Sequence, residues 1–415
     1  MKYSWLNKYA SLSLVLGPFI EPYALSDGGT AMFKMYMLLN IILLLCKGKY
    51  VKYDSKLFNC FILYALSVPT IIAFLCGYTS GVVGSYSTLL LFVLNFILVI
   101  PHVRIPLLRK YYKYAVIICV VVFCLQELSY YTIGKRFMAL VPFFHIIYAG
   151  VDTTSFVTKM SMIDRSCSMF LEPSHFAHFL LPYMAMELGF LHDKGKLVNG
   201  SVVVISLVLL FLRSGNGLIG MAILWVFAVL FSNLNKPLKF IVIIPLALLV
   251  STYGFSVFSN TEMGRSIMER TQELDTDVAE VNSGFIRVWR GYYVFGEQPF
   301  PVKFFGVGYG GLEDAVHNSG FQWMFHSNTD TYVNNVQAFL LSYGILGTFL
   351  FLLFLFSICD KKHFVTYYVV IAFISLCFLD NFFWSSKMLL ILAIPCIINY
   401  NRIEKYNENI IYCNR

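Results

Sequence analysis

Blocks of mostly apolar residues, each about as long as a bilayer-crossing helix, recur along nearly the whole of this 415-residue chain, separated by short polar hairpins. The hydrocarbon core offers no water to a backbone N–H or C=O, so such blocks must close their own hydrogen bonds as helices. The pattern predicts an all-α, polytopic membrane protein of about twelve transmembrane helices in one integral membrane domain, 1–415. The spans fall at 10–26, 31–46, 57–76, 82–101, 112–128, 170–192, 197–212, 215–232, 237–257, 334–357, 364–380 and 385–400. Pro18, Glu21 and Pro22 interrupt the first, and the second carries Lys34.

Composition excludes the soluble alternative. Only 13% of residues are charged, against about 25% in soluble domains, and the mean hydropathy is +0.69. The net charge of +8 arises from Lys and Arg in short loops rather than from a basic stripe interleaved with aromatics, so nucleic acid is set aside. The ten cysteines show no zinc-ligand spacing and sit mostly inside apolar blocks, as small buried residues do. Lys2 and Lys8 precede an apolar stretch with no small-residue cleavage site, so the first block reads as a retained helix.

Lys and Arg counts set the orientation. With the N-terminus inside, the inner hairpins at 47–56, 104–113, 194–196, 236–239 and 361–362 are basic, while outer Asp27–Thr30 and Gly77–Ser85 hold none. Both termini then face the cytoplasm. Two outer loops are long. The first, 129–169, includes a semi-apolar piece, Phe137–Ala149, suited to the interface. The second, 258–333, starts with a predicted helix, Glu262–Glu280, and continues through Arg287-Val288-Trp289-Arg290 to the glycine-rich Phe305-Gly306-Val307-Gly308-Tyr309-Gly310-Gly311. Its length and aromatic content mark it as functional rather than disordered.

Candidate chemistry lies where residues run against the topology rule. Arg165, Arg213, Arg265, Arg270, Arg287 and Arg290 are outer arginines. Arg213 closes an apolar block, and a guanidinium there either snorkels to the headgroups or grips an anion. Arg287 and Arg290, three apart, form a fork for a diphosphate or else pair with the acidic run Glu269–Glu280. Glu172 and His175 share a helix face at the outer start of the sixth span. Pro173 suits the first turn, and Glu172 is either a cap or a proton acceptor. His317 and His326 matter only if another base is needed. Trp289, Tyr292, Tyr293, Tyr309 and Trp323 are sugar platforms or interfacial anchors.

These segments together resemble the O-antigen polymerase and O-antigen ligase superfamily of bacterial membrane glycosyltransferases. The likeness covers about Arg165 to Leu353. It runs through Arg165, Phe170-Leu171-Glu172-Pro173-Ser174-His175-Phe176-Ala177, Leu212-Arg213-Ser214-Gly215, Arg287-Val288-Trp289-Arg290 and the glycine-rich turn. It ends with Tyr332-Val333-Asn334-Asn335 and Leu341-Ser342-Tyr343-Gly344-Ile345-Leu346-Gly347. The resemblance implies a GT-C-like fold with short helices in the long loop. It implies a polymerase of undecaprenyl-diphosphate-linked oligosaccharides for O-antigen, lipopolysaccharide or other polysaccharide biosynthesis, at the outer face of the cytoplasmic (inner) membrane. No cofactor, nucleotide sugar or metal is implied, and a chain-length regulator is an implied partner. Ligase-type members carry a histidine where Val333 precedes Asn334, which favours a polymerase here. On this reading Arg213, Arg287 and Arg290 stabilise the leaving diphosphate, Glu172 or His175 takes the acceptor proton, and Arg165, Trp289, Tyr309, His317, His326 and Asn334 bind substrate. The rival reading is a flippase or other transporter, which would place polar residues near the midplane in related halves. Here the nearest mid-span charges are Lys34 and Glu187, and the halves look unrelated.

Overall fold

A computed structural model describes residues 3–24, 32–47, 53, 55–78, 81–141, 144–146, 165–232, 283–321 and 332–413. Among them nearly all regular structure is helical. The helices are α1 Trp5–Ile20, α2 Met32–Lys47, α3 Lys56–Cys76, α4 Val82–Val99, α5 Ile105–Ile133, α6 Pro173–His192 and α7 Gly200–Phe211. They continue with α8 Gly215–Phe231, α9 Ser283–Glu297, α10 Phe300–Phe305, α11 Leu312–His317, α12 Asn335–Ser357, α13 Phe364–Leu379 and α14 Ser386–Cys413. Each predicted span except 237–257, which lies outside the described residues, is occupied by a helix. Among the described residues, four helices (α3, α4, α5 and α12) are long and apolar enough to cross a bilayer, and the apolar stretches of α2, α7, α8, α13 and α14 are shorter. Many of their Leu, Ile, Val and Phe side chains face outward, which suits contact with lipid.

Local chemistry sets the helix ends. Ser4 accepts the Asn7 N–H at the start of α1. The first span was predicted to reach residue 26, but α1 stops at Ile20. The chain then turns at Glu21–Pro22, and Tyr23–Ala24 pairs antiparallel with His145–Ile146 from the interfacial piece. α5 runs to Ile133, past the predicted start of the loop at 129, and ends on Gly134 in the left-handed region. Pro173 occupies the first turn of α6 as predicted.

α6 is the central helix, with nearly every side chain buried from Pro173 to Leu191. It packs on α5, α7, α8, α13 and α14. At Gly189 an added Cβ would overlap the Val365 backbone, so glycine sets the close approach of α6 to α13. Glu187 is not a mid-span charge. Both its oxygens meet Arg109, Oε1 to Nε at 2.6 Å and Oε2 to Nη2 at 2.8 Å, where α5 begins. Lys34 likewise lies near a helix end, its Nζ donating to the Gly84 carbonyl at 3.2 Å.

The loops sort into two sets by their contacts. Hairpins predicted to be inner meet at one end: Asn7 donates to the His102 carbonyl, the Phe364 N–H to Asp193, and Asn399 to the Ile358 carbonyl. Loops predicted to be outer meet at the other: Gln126 donates to the Ser168 carbonyl, Asn216 to Asp380, and Tyr78 to Gln298. Arg109 marks the first end and Asp380 the second.

Candidate functional site

The long loop returns to the bundle by docking into a broken helix. α12 kinks at Gly344, whose φ of 63° and ψ of −174° leave the helical region. The kink frees the carbonyls of Leu341 and Ser342, which accept the N–H groups of Val307 (3.1 Å) and Gly308 (2.7 Å). The Tyr64 hydroxyl donates to the carbonyls of Phe305 (2.9 Å) and Tyr343 (3.1 Å). A Cβ on Gly306 would overlap the Ser342 carbonyl, and one on Gly344 the Phe304 carbonyl. The glycine-rich turn thus directs these two N–H groups into the helix. Tyr309 lies edge-on to Phe383, ring centres 5.2 Å apart. Desolvation pushes its phenol up to about 12, with Glu21 adding a smaller repulsion. The phenol is therefore neutral at neutral pH.

The chain after this turn anchors a buried polar cluster. Asn334 caps α12: its side chain accepts the Gln337 N–H at 3.0 Å and donates to the Phe378 carbonyl at 3.1 Å. The Asn335 N–H donates to the Asp380 carbonyl at 3.0 Å, and its side chain accepts the Phe382 N–H at 2.9 Å. The resemblance implies substrate binding at Asn334; in the structure these bonds tie the start of α12 to the turn after α13.

Asp380, only 5% exposed, is the hub. Oδ2 accepts from Asn216 Nδ2 at 2.7 Å and lies 3.3 Å from His178 Nε2. Oδ1 accepts the Asn381 N–H at 2.8 Å and the Tyr332 hydroxyl. Arg290 lies over the Tyr332 ring, its guanidinium carbon 5.5 Å from the centroid, and is 1% exposed. Tyr332 thus links Arg290 to Asp380, and away from bulk water the field of a buried guanidinium is screened less. His178 and Asp380 together form a pair in which the carboxylate can orient the imidazole and stabilise its protonated form.

The predicted α6 cluster adjoins this hub. Glu172 occupies the N-cap position but bonds no helix N–H; its Oε2 accepts the Ser174 hydroxyl at 3.2 Å. The carboxylate therefore does not do the job of a cap. Its charge reaches Cys167, whose thiol is pushed up to about 12 mainly by burial, with Arg136 and Arg165 opposing. Arg165 Nη1 donates to the Arg213 carbonyl at 3.2 Å. Arg213 itself has a φ of 52°, in the left-handed region, between α7 and α8. His175 lies half-buried, 6.2 Å from His178 between ring centres.

One unbroken chain of contacts thus joins Arg165, the Arg213 turn with Asn216, Asp380, Tyr332 and Arg290. Ser168, Arg213 and Trp384, the non-glycine residues with positive φ among those described, all lie at this end. Such strain gathers where surrounding structure fixes a backbone for a purpose. Arg287 lies one turn before Arg290 on α9, and its side chain is outside the described residues, as are His326, Trp323, the acidic run and the predicted helix Glu262–Glu280. Trp289 is 44% exposed, against Tyr292. His317 closes α11, with a buried Nε2 that has no hydrogen-bond partner among the described residues.

Sequence reasoning missed Asp380, His178 and Asn216 as site residues. Asp380 and Lys387 flank a six-residue hairpin, 381–386, between apolar blocks, where charged residues read as ordinary turn formers. Lys387 is 6% exposed and makes no hydrogen bond or ion pair among the described residues. Its neighbour Ser386 donates to Glu21. The one legible signal was the polar pair Asp380-Asn381 on the outer side, between two apolar blocks.

No protein family, curated protein or solved structure matches this chain.

Proposed function

We propose that this chain is a membrane glycosyltransferase of the O-antigen polymerase type. It would transfer a glycan from undecaprenyl diphosphate to a hydroxyl of another lipid-linked repeat unit at the outer face of the bacterial cytoplasmic membrane. In this reading the chain has about twelve transmembrane helices, both termini are cytoplasmic, and the Asp380 end faces outward. The observation that carries it is the contact chain from Arg165 to Arg290, since it joins segments on which the resemblance rests, with His178 against Asp380.

The chemistry needs two things. The bond from the anomeric carbon to the phosphate oxygen breaks, its electron pair passing to the diphosphate. Arg165 and Arg213, half-buried and adjacent, meet that charge directly, and Arg290 adds a fixed positive field from below. The acceptor hydroxyl forms the new bond and loses its proton to Glu172, whose carboxylate is not engaged as a cap; His175 is the second acceptor. His178, held at Asp380, is a positioning residue for that helix end.

The test is a purified full-length protein in proteoliposomes with an undecaprenyl-diphosphate-linked repeat unit. A ladder of lengthened glycans is expected. Arg290→Ala and Glu172→Gln should abolish it while the protein still inserts and stays folded, and Arg290→Lys should fail too if the guanidinium plane matters. Full-length ladders in Arg213→Ala and Arg290→Ala together would remove the diphosphate clamp. Transbilayer movement of the lipid-linked unit with no ladder would make the chain a flippase.

A further inference from the structure

The opposite end carries a second polar feature that glycosyl transfer does not use. A cavity of about 550 Å³ opens between the start of α5 and the α6–α7 turn. Arg109, Lys110 and Lys113 supply its positive rim, and Glu187 and Asn199 its floor. Glu187 is held bidentately by Arg109, and Asn199 leans on its Oε2 at 3.4 Å. That pair is internally neutral and fixed, which leaves Lys110 and Lys113 as the net charge. Lys113 makes no hydrogen bond or ion pair among the described residues, and Lys110 makes only a ring contact, 5.9 Å from the Tyr114 centroid.

A second cavity of about 300 Å³ continues from the first toward the middle of the bundle. Lys113, Tyr183 and Ser201 line both. Beyond them its walls are aliphatic: Val116 and Val120 on α5, Val204 and Ile205 on α7. The surrounding faces of α5 and α7 turn Ile117, Ile118, Val121, Val203 and Leu207 outward, so the groove opens on the lipid-facing side. A cationic mouth at a helix end that leads without interruption into an apolar groove matches one class of molecule by both charge and shape. We infer that this is a binding site for an anionic glycerophospholipid, its phosphate between Lys110 and Lys113 and an acyl chain along α5 and α7. Juxtamembrane lysines attract anionic headgroups, and basic pockets between transmembrane helices hold them. A bound lipid here would bridge α5 and α7, and with Glu187 fixed beneath it would brace the central helix α6. The inference does not depend on which reaction occurs at the Asp380 end.

The test uses the full-length protein in a non-ionic detergent. Thermal unfolding is followed against phosphatidylglycerol, phosphatidylcholine of the same chains, and glycerol phosphate without chains, with native mass spectrometry to count retained lipids. Phosphatidylglycerol should stabilise saturably and be retained singly; the other two should not. K110Q/K113Q, changed at exposed positions, should weaken that effect roughly thirtyfold. Val204→Trp, which fills the groove and leaves the charges, should abolish it. Equal stabilisation by the zwitterionic lipid, or an undiminished effect in K110Q/K113Q, overturns the site. Stabilisation by glycerol phosphate equal to that by the lipid overturns the acyl-chain groove.

Discussion

Arg213 and Arg290 illustrate two different ways of placing a positive charge near a membrane surface. Arg290 is fully buried, stacked on Tyr332 and close to the Asp380 cluster, so its energy depends on the partners around it. Arg213 is half-buried and strained, its φ of 52° a conformation that glycine adopts without cost. The two positions therefore respond differently to substitution. Arg213→Gly should leave thermal stability unchanged or raise it by up to about 1 kcal/mol, because the left-handed backbone no longer carries a Cβ. Glycan lengthening should nevertheless fall sharply in the same variant. A clear loss of melting temperature would mean that the side chain holds the turn, and would remove it from the chemistry. Glu172 was legible as a charged residue at a helix start. Its failure to cap became visible only with the geometry, since a cap needs one rotamer and the hydroxyl of Ser174 selects another.

At the scale of elements, the return of the long loop is the most demanding construction. A helix broken in the membrane must find donors for the carbonyls it exposes. Here Val307, Gly308 and Tyr64 supply them. Gly344→Ala places a Cβ against the Phe304 carbonyl in a left-handed conformation and should destabilise by roughly 2–4 kcal/mol. Tyr64→Phe should cost about 1–2 kcal/mol, because two carbonyls lose a donor. Both are read by thermal unfolding in detergent, and an unchanged melting temperature in the pair would sink this account of the kink. The glycines of this turn were visible in the sequence. Their use was not, because glycine permits close approach of backbone to a ligand and to a helix equally well.

For the whole molecule, the two sets of loops give a test that needs no substrate. Lys135, at the end of α5, and Lys194, after α6, are both exposed and lie at opposite ends. With accessible native cysteines replaced, Lys135→Cys should react with a membrane-impermeant maleimide on intact cells, and Lys194→Cys only after permeabilisation. The reverse result would turn the Asp380 end toward the cytosol and end the proposed reaction there. Cys167, buried and with its thiol pushed up to about 12, should stay unlabelled in both cases at neutral pH.

By itself the sequence determined the class of fold, where the apolar helices fall among the described residues, and which of their loops share an end. Those follow from apolar length and from the distribution of Lys and Arg, and both properties are local and additive along the chain. Only the tertiary structure decided which polar groups meet. Asp380 gathers Asn216, Asn381, His178 and Tyr332 across as many as 202 positions of sequence. A carboxylate taken from water must be matched by donors in three dimensions, and the donors that reach it are set by how α6, α8, α12 and α13 pack, not by their order along the chain.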